Sequence, residues 1–235
     1  MSTLNILSGG AAQGLVASLT PAFRSLTGFD VAGEFGAVGA MADKLRKGTP
    51  ADIIILTAAL VAKLAEEKLV IATSMADVGL VETALAVRTG DPQATVKDTA
   101  DLREALLASD AIFVPDTKTS TAGIHVANVL QQIGVADEVV ARLRIYPNGA
   151  TAMREMAASE ARRPIGCTQS TEIISTKGVT LSGPLPPGCE LATMYTAGIT
   201  IAAAHPQQAQ DLIGLLTGAG QHEQRKRAGL IGGRR

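Results

Sequence analysis

The sequence predicts an α/β protein of two lobes, each doubly wound, joined by two crossover strands. Three observations predict it. Short β-rich runs alternate with longer helical patterns from the start of the chain, the rhythm of a sheet flanked by helices. The run Asp52–Leu56 is continuously apolar after its first residue, as in a strand covered on both faces. Extended runs near 81–88 and 190–196 separate two such blocks, so the chain crosses out and back. On this reading 1–82 plus 195–235 form lobe I and 83–194 form lobe II, with a ligand cleft between them.

Taken in order, Leu4–Leu7 is a buried strand, and Ser8-Gly9-Gly10 leads into a helix from about Ala11 to Leu26. Val31–Phe35 is the second strand, and the small residues Gly36–Gly39 open a helix through Lys47. Asp52–Leu56 is the third, and Thr57 starts a helix to about Glu67. After the run Leu80–Arg88, Thr89-Gly90-Asp91-Pro92 breaks the chain. Helix Thr99–Ala108, strand Ala111–Val114, loop Pro115–Ser120 and helix Thr121–Ile133 follow. A stretch after Gly134, helical or extended, runs to Tyr146, and a helix spans Ala150–Ala161. Pro164–Cys167 is a short strand, with Thr168–Thr171 leading into a helical turn. The Pro- and Gly-rich Leu181–Cys189 precedes an extended run over Glu190–Ala204, and helices near Pro206–Thr217 and Gln221–Ala228 complete lobe I.

Composition excludes several functions. Hydrophobic residues make up 46% of the chain but aromatics only 3%, with no Trp, so the core is aliphatic and stacking platforms for nucleic acid are missing. The formal charge is −1, and the one basic run, Arg225-Lys226-Arg227 with Arg234-Arg235, reads as a solvated last helix. No His/Cys cluster has metal-ligand spacing, so no metal is expected, nor any cofactor. Cys167 and Cys189, two cysteines far apart, define no disulfide framework, although they could pair. No stretch reads as a membrane span. The first residues show no basic region, long apolar segment or cleavage site, which predicts a cytoplasmic protein, or a periplasmic one if a leader has been removed.

Several motifs in succession resemble the molybdate-binding solute-binding proteins of the type 2 periplasmic-binding-protein fold. They are Leu4–Gly14 followed by Leu19-Thr20-Pro21-Ala22-Phe23, then Thr27–Val31, Phe35–Ala40 and Gly48–Asp52. The second lobe matches more loosely, through Ala122-Gly123-Ile124 and the return strand Ala192–Ile201. The resemblance implies an anion held by hydroxyls and by backbone N–H groups at helix N-termini. The residues agree with it, because small residues stand where helices follow strand ends and let amides approach an oxyanion. The implied ligand-binding residues are Ser8, Gly9, Gly10, Ala11, Ala37, Val38, Thr57, Ser120, Thr121, Thr168 and Gln169, with Tyr195 on the return strand. Molybdate binders of this family usually carry a serine just after the Phe-Gly pair; here Ala37 and Val38 offer no hydroxyl there. A buried oxyanion would lose a donor worth roughly 1–3 kcal/mol.

An offshoot of the resemblance is a set of isomerases that shift a double bond in unsaturated carboxylates, aconitate isomerase being the example. That chemistry needs an acid–base group beside the reacting carbon. The candidates are His125 in the first turn of its helix, Lys118 in the loop before it, and Cys167 at a strand end. Each has an ordinary structural alternative: a packed helix histidine, a solvated loop lysine, a buried thiol. Three functions follow. The first is a small-carboxylate binder that moves an allylic double bond in a di- or tricarboxylate. The second is a molybdate or oxyanion binder serving an ABC transporter permease. The third is a ligand sensor in the cytoplasm.

Overall fold

The computed structural model describes residues 2–232. In chain order the elements are β1 (Thr3–Gly9), α1 (Gln13–Thr27), β2 (Asp30–Gly36), α2 (Val38–Arg46), β3 (Ile53–Thr57) and α3 (Ala58–Glu66). They continue with β4 (Ala76–Arg88), α4 (Thr99–Ala108), β5 (Ala111–Pro115), α5 (Thr121–Gln132), α6 (Ala136–Val139) and β6 (Leu143–Tyr146). The remainder are α7 (Gly149–Ala157), β7 (Pro164–Gln169), α8 (Ser170–Ile174), β8 (Val179–Pro184), β9 (Ala192–Ile199), α9 (Pro206–Thr217) and α10 (His222–Arg227). Two compact units result. One takes the described residues up to Val81 and from Thr193 onward; the other is Glu82–Ala192.

In the first unit the sheet order is β2-β1-β3-β9. β1 runs parallel to both β2 and β3, and β9 lies antiparallel to β3. Ile53–Leu56 are fully buried in succession, so both faces of β3 are covered. Around them pack Leu15, Leu19 and Phe23 of α1 and Leu212, Ile213 and Leu216 of α9. Gly28 stops α1 in the left-handed conformation at φ 75°, which costs glycine nothing. The Asp52 carboxylate accepts the Asn5 and His205 amides, both at 2.8 Å, and ties β1 to the start of α9. Arg225 in the basic run donates to Leu216 O and Gly218 O at the end of α9, where a cation is favourable. Arg234 and Arg235 lie outside the described residues.

The second unit has the order β4-β7-β5-β6, with β8 on the other side of β4. β5 is parallel to β6 and β7, while β4 is antiparallel to β7 and β8. The two-residue period divides its core. Ile112, Val114, Ile165 and Cys167 join Leu102 and Leu106 of α4 and Val126 and Leu130 of α5. Ala111 and Phe113 face Met153 and Met156 of α7. Gly166 lets α7 approach, since a Cβ there would lie 2.5 Å from Met153 Cε. Asp98 and Asn148 cap α4 and α7 by accepting the Asp101 and Thr151 amides.

The structure refines or corrects several sequence expectations. The Pro- and Gly-rich Leu181–Cys189 is part strand: Leu181–Pro184 ends the edge strand β8, where a proline is tolerated. The stretch after Gly134 divides into a short helix, a 3-10 turn and β6. The helix expected over Ala150–Ala161 ends at Ala157, and the return strand ends at Ile199 rather than running on to Ala204. Cys167 and Cys189 are both free and buried.

Candidate functional site

In the first unit, three strands run at their carboxyl ends directly into helical structure. Gly9 precedes a 3-10 turn and α1, Ala37 precedes α2, and Thr57 precedes α3. All three have extended backbone, with ψ of 144°, 135° and 145°, and none caps its helix through a side chain. The opening N–H groups of α2 and α3 therefore have no side-chain acceptor, and they lie on one edge of a parallel sheet. Gly9 is the close-approach point: a Cβ there would sit 2.8 Å from Val38 Cγ1 and 2.9 Å from Tyr195 Cε1. Tyr195 is buried and pairs across the strands with Thr57. Ser8 is fully buried and its hydroxyl donates to Gly9 O at 2.9 Å, while Gly10 and Ala11 are buried beside it. Thr193, unmarked by sequence reasoning, lies two residues before Tyr195 on β9 and has a buried hydroxyl with no hydrogen-bond partner.

In the second unit β5, β6 and β7 are parallel neighbours, so α5, α7 and α8 start from one edge of the sheet. The loop before α5 is built by Asp116, whose Oδ1 accepts the Lys118 and Thr119 amides and the Thr119 hydroxyl. These bonds, the Lys118 amide foremost, hold the carboxyl below the ordinary aspartate range. Lys118 itself is exposed. Gly123 packs against this loop: a Cβ there would lie 2.6 Å from Pro115 O. Ser120 is the N-cap of α5 with no side-chain cap bond, so the α5 amides that follow Ser120 and Thr121 are open to an anion.

Two of the proposed acid–base residues are constrained by their surroundings, His125 at one ring nitrogen and Cys167 by burial. His125 Nε2 is 2.8 Å from Cys189 O, and a carbonyl only accepts, so Nε2 carries the proton and ties α5 to the Pro-rich loop. Cys167 is a core residue rather than a cleft residue. It packs with Leu85, Ile112 and Val126, and burial pushes its thiol up to about 12. A thiol so far from ionising is no nucleophile or base at neutral pH.

The end of β7 is the most polar buried place in this unit. Thr168, expected to bind ligand, instead donates its hydroxyl to Glu172 Oε2 at 2.6 Å. Glu172, in the helical turn that follows Thr168–Thr171, was not singled out in the sequence. Its carboxyl also accepts backbone N–H groups of Ala150, Gln169 and Gly149, so this internal acid fills the N-terminus of α7. Gly149 makes room, since a Cβ there would overlap Glu172 Oε2 and Thr168 Oγ1. Burial raises the Glu172 carboxyl above the ordinary glutamate value of 4.5, against the pull of those four donors. The unfolded chain therefore ionises first, and the stability Glu172 confers is greatest below that value and declines as pH rises past it. In urea denaturation, the stability difference between the protein and Glu172→Gln is expected to shrink from pH 4 to pH 7; a constant difference would contradict it.

Beside Glu172, the Gln169 side chain has both its Nε2 and its Oε1 buried without a hydrogen-bond partner. Thr83, its partner across β4 and β7, and Thr171 carry buried hydroxyls in the same condition. Unsatisfied buried groups are rare in folded proteins and costly. Here an amide and two hydroxyls, all capable of donating, stand together at a strand's carboxyl end. Among the described residues, no group of three or more His, Cys, Asp or Glu could hold a metal ion, and no helix is long and apolar enough to cross a membrane.

Residues 4–229 match the family of bacterial extracellular solute-binding proteins. The chain belongs to that family. This solute-binding protein is 24% identical over 224 residues to aconitate isomerase from a Pseudomonas species, covering 91% of the chain and 81% of the relative. Its fold is similar to that of the periplasmic molybdate-binding protein of Azotobacter vinelandii, with a TM-score of 0.82 at 17% identity over 98% of this chain and 100% of that one. The sulfate-binding protein SubI of Mycobacterium tuberculosis H37Rv is a further neighbour, with a TM-score of 0.75 at 17% identity over 98% of this chain and 86% of the other. The two-lobed α/β fold of periplasmic binding proteins is thus the fold of this chain.

Proposed function

We propose that this solute-binding protein binds a small di- or tricarboxylate and moves an allylic double bond within it. The observation that carries the binding is the set of unpartnered donors at the end of β7: the Gln169 amide with the Thr83 and Thr171 hydroxyls. A carboxylate would satisfy them, and the uncapped start of α5 in the same unit supplies further donors for a ligand with several carboxylates. The same donors, aimed at an enolate-like charge, would assist proton transfer between allylic carbons. The relative named aconitate isomerase supports this choice of chemistry. With Cys167 in the core, the acid–base role falls to His125 through Nδ1, or to Lys118.

The second reading is a binder of molybdate or a similar oxyanion that delivers it to an ABC permease outside the cytoplasmic membrane. The family match and the molybdate-binding neighbour favour it. Thermal-shift titration with cis-aconitate, trans-aconitate, citrate, molybdate and sulfate separates the two. A ligand at about 100 times its Kd adds roughly 2.7 kcal/mol of stability. Stabilisation by the unsaturated acids, followed by their interconversion in a proton NMR assay, is expected. Stabilisation by molybdate or sulfate alone would overturn the isomerase reading.

A further inference from the structure

A cavity of about 310 Å³ opens in the second unit, far from the donors described above. It lies at the amino end of β7, lined by Pro164 and Ile165, whereas Gln169 ends the same strand. Five residues of strand put the two places roughly 16 Å apart, at about 3.3 Å per residue. The apolar walls come from Val87 on β4, Ala105 and Ala108 on α4, and Pro92 and Ala94 in the connection between them. That volume and lining suit a small organic molecule.

The charges at this cavity are unequal. Arg162, Arg163 and Asp91 line it, and Asp91 is already matched by Arg88, with 3.0 Å between the charged groups. Among the described residues neither the Arg162 nor the Arg163 guanidinium makes a hydrogen bond or ion pair, although Arg163 feels the charge of Asp110. Both are fixed at the backbone: Asp110 accepts the Arg162 and Arg163 amides at 2.8 and 3.0 Å. Two exposed arginines thus stand at the rim of an apolar chamber, with Asp110 the acid near Arg163 and no side-chain bond fixing either guanidinium among the described residues.

We infer that this cavity is a second ligand site, which takes a small amphipathic monocarboxylate: an alkyl body in the chamber and its carboxylate on Arg162 and Arg163. The guanidinium fork matches a carboxylate, and the absence of any further cation lining the chamber fits one negative charge rather than several. The site stands apart from the proposed carboxylate site of the isomerase reading and does not depend on it.

The test uses the full chain and octanoate, with 1-octanol as the uncharged control, read by calorimetry and by two-dimensional NMR. Octanoate is expected to shift resonances of Ala105, Ala108 and Ile165, and to bind at least tenfold more weakly to Arg162→Gln/Arg163→Gln. The alcohol should bind the two proteins equally. Ala108→Leu, at an exposed position that does not support the core, is expected to weaken both ligands by filling the chamber. Gln169→Leu should leave octanoate binding unchanged, which separates this site from the other. No octanoate binding at millimolar concentration, or binding indifferent to both the arginine and the Ala108 variants, would overturn the inference.

Discussion

Gln169→Leu is expected to make the unliganded protein more stable by about 1–3 kcal/mol, and to weaken the anionic ligand by about 10- to 100-fold. The two effects have one cause. The Gln169 amide is buried with neither its nitrogen nor its oxygen bonded, so without ligand it carries a desolvation penalty that leucine, of similar length, does not. With ligand present, the same amide donates to an anion, an interaction of about 1.5–3 kcal/mol. Urea denaturation with and without the best ligand of the thermal-shift panel reads both effects. Thr83→Val should act in the same direction with a smaller effect, because one hydroxyl replaces two amide atoms. A Gln169→Leu protein that binds normally would move the site away from β7.

Gly149→Ala is expected to cost about 3–5 kcal/mol and to lower Tm by roughly 10 °C. Gly149 has no left-handed backbone, so the added methyl acts by collision alone. It would displace the Glu172 carboxyl from the Thr168 hydroxyl and from the amides of α7, leaving a buried acid and open N–H groups. The coupling makes the prediction specific. In a Glu172→Ala background the methyl no longer collides with the carboxyl, and the Thr168 hydroxyl, released from Glu172, remains as a neighbour, so the double variant should be more stable than the two single effects predict by addition, by about 0.5–3 kcal/mol. Strict additivity, measured by chemical denaturation of all four proteins, would mean that Glu172 is not what Gly149 accommodates.

The sequence made most elements legible because their boundaries are written locally. Thr99–Ala108 follows a capping aspartate and Pro206–Thr217 begins with a proline at its first turn, and both helices span those residues. β3 was legible from a run of four apolar residues, since only burial on both faces sustains one. β8 was not, because its later residues, Ser182-Gly183-Pro184, have little apolar character and its strand state comes from distant β4. Within the candidate site, sequence marked positions but not partners. Ser8, Thr57, Ser120 and Gln169 stand at strand-to-helix junctions as the alternation of elements implies. That Thr168 would spend its hydroxyl on Glu172, and that Gly149 would leave the space for both, depends on residues some twenty positions apart. Cys167 shows the same limit: strand alternation alone does not reveal which face of β7 meets the core.

The way the first unit is assembled from two chain segments has a consequence for its synthesis on the ribosome. β3 obtains its second neighbour only when β9 has been made, and Asp52 obtains the His205 amide only after that. Until then the apolar edge Ile53–Leu56 waits unpaired for well over a hundred residues of translation, at roughly 5–20 residues per second. The second unit, Glu82–Ala192, is continuous and is finished earlier. The part of the chain that emerges first is therefore the part that matures last. During that interval the bare edge of β3 is the place where a nascent chain needs protection from pairing with a neighbour.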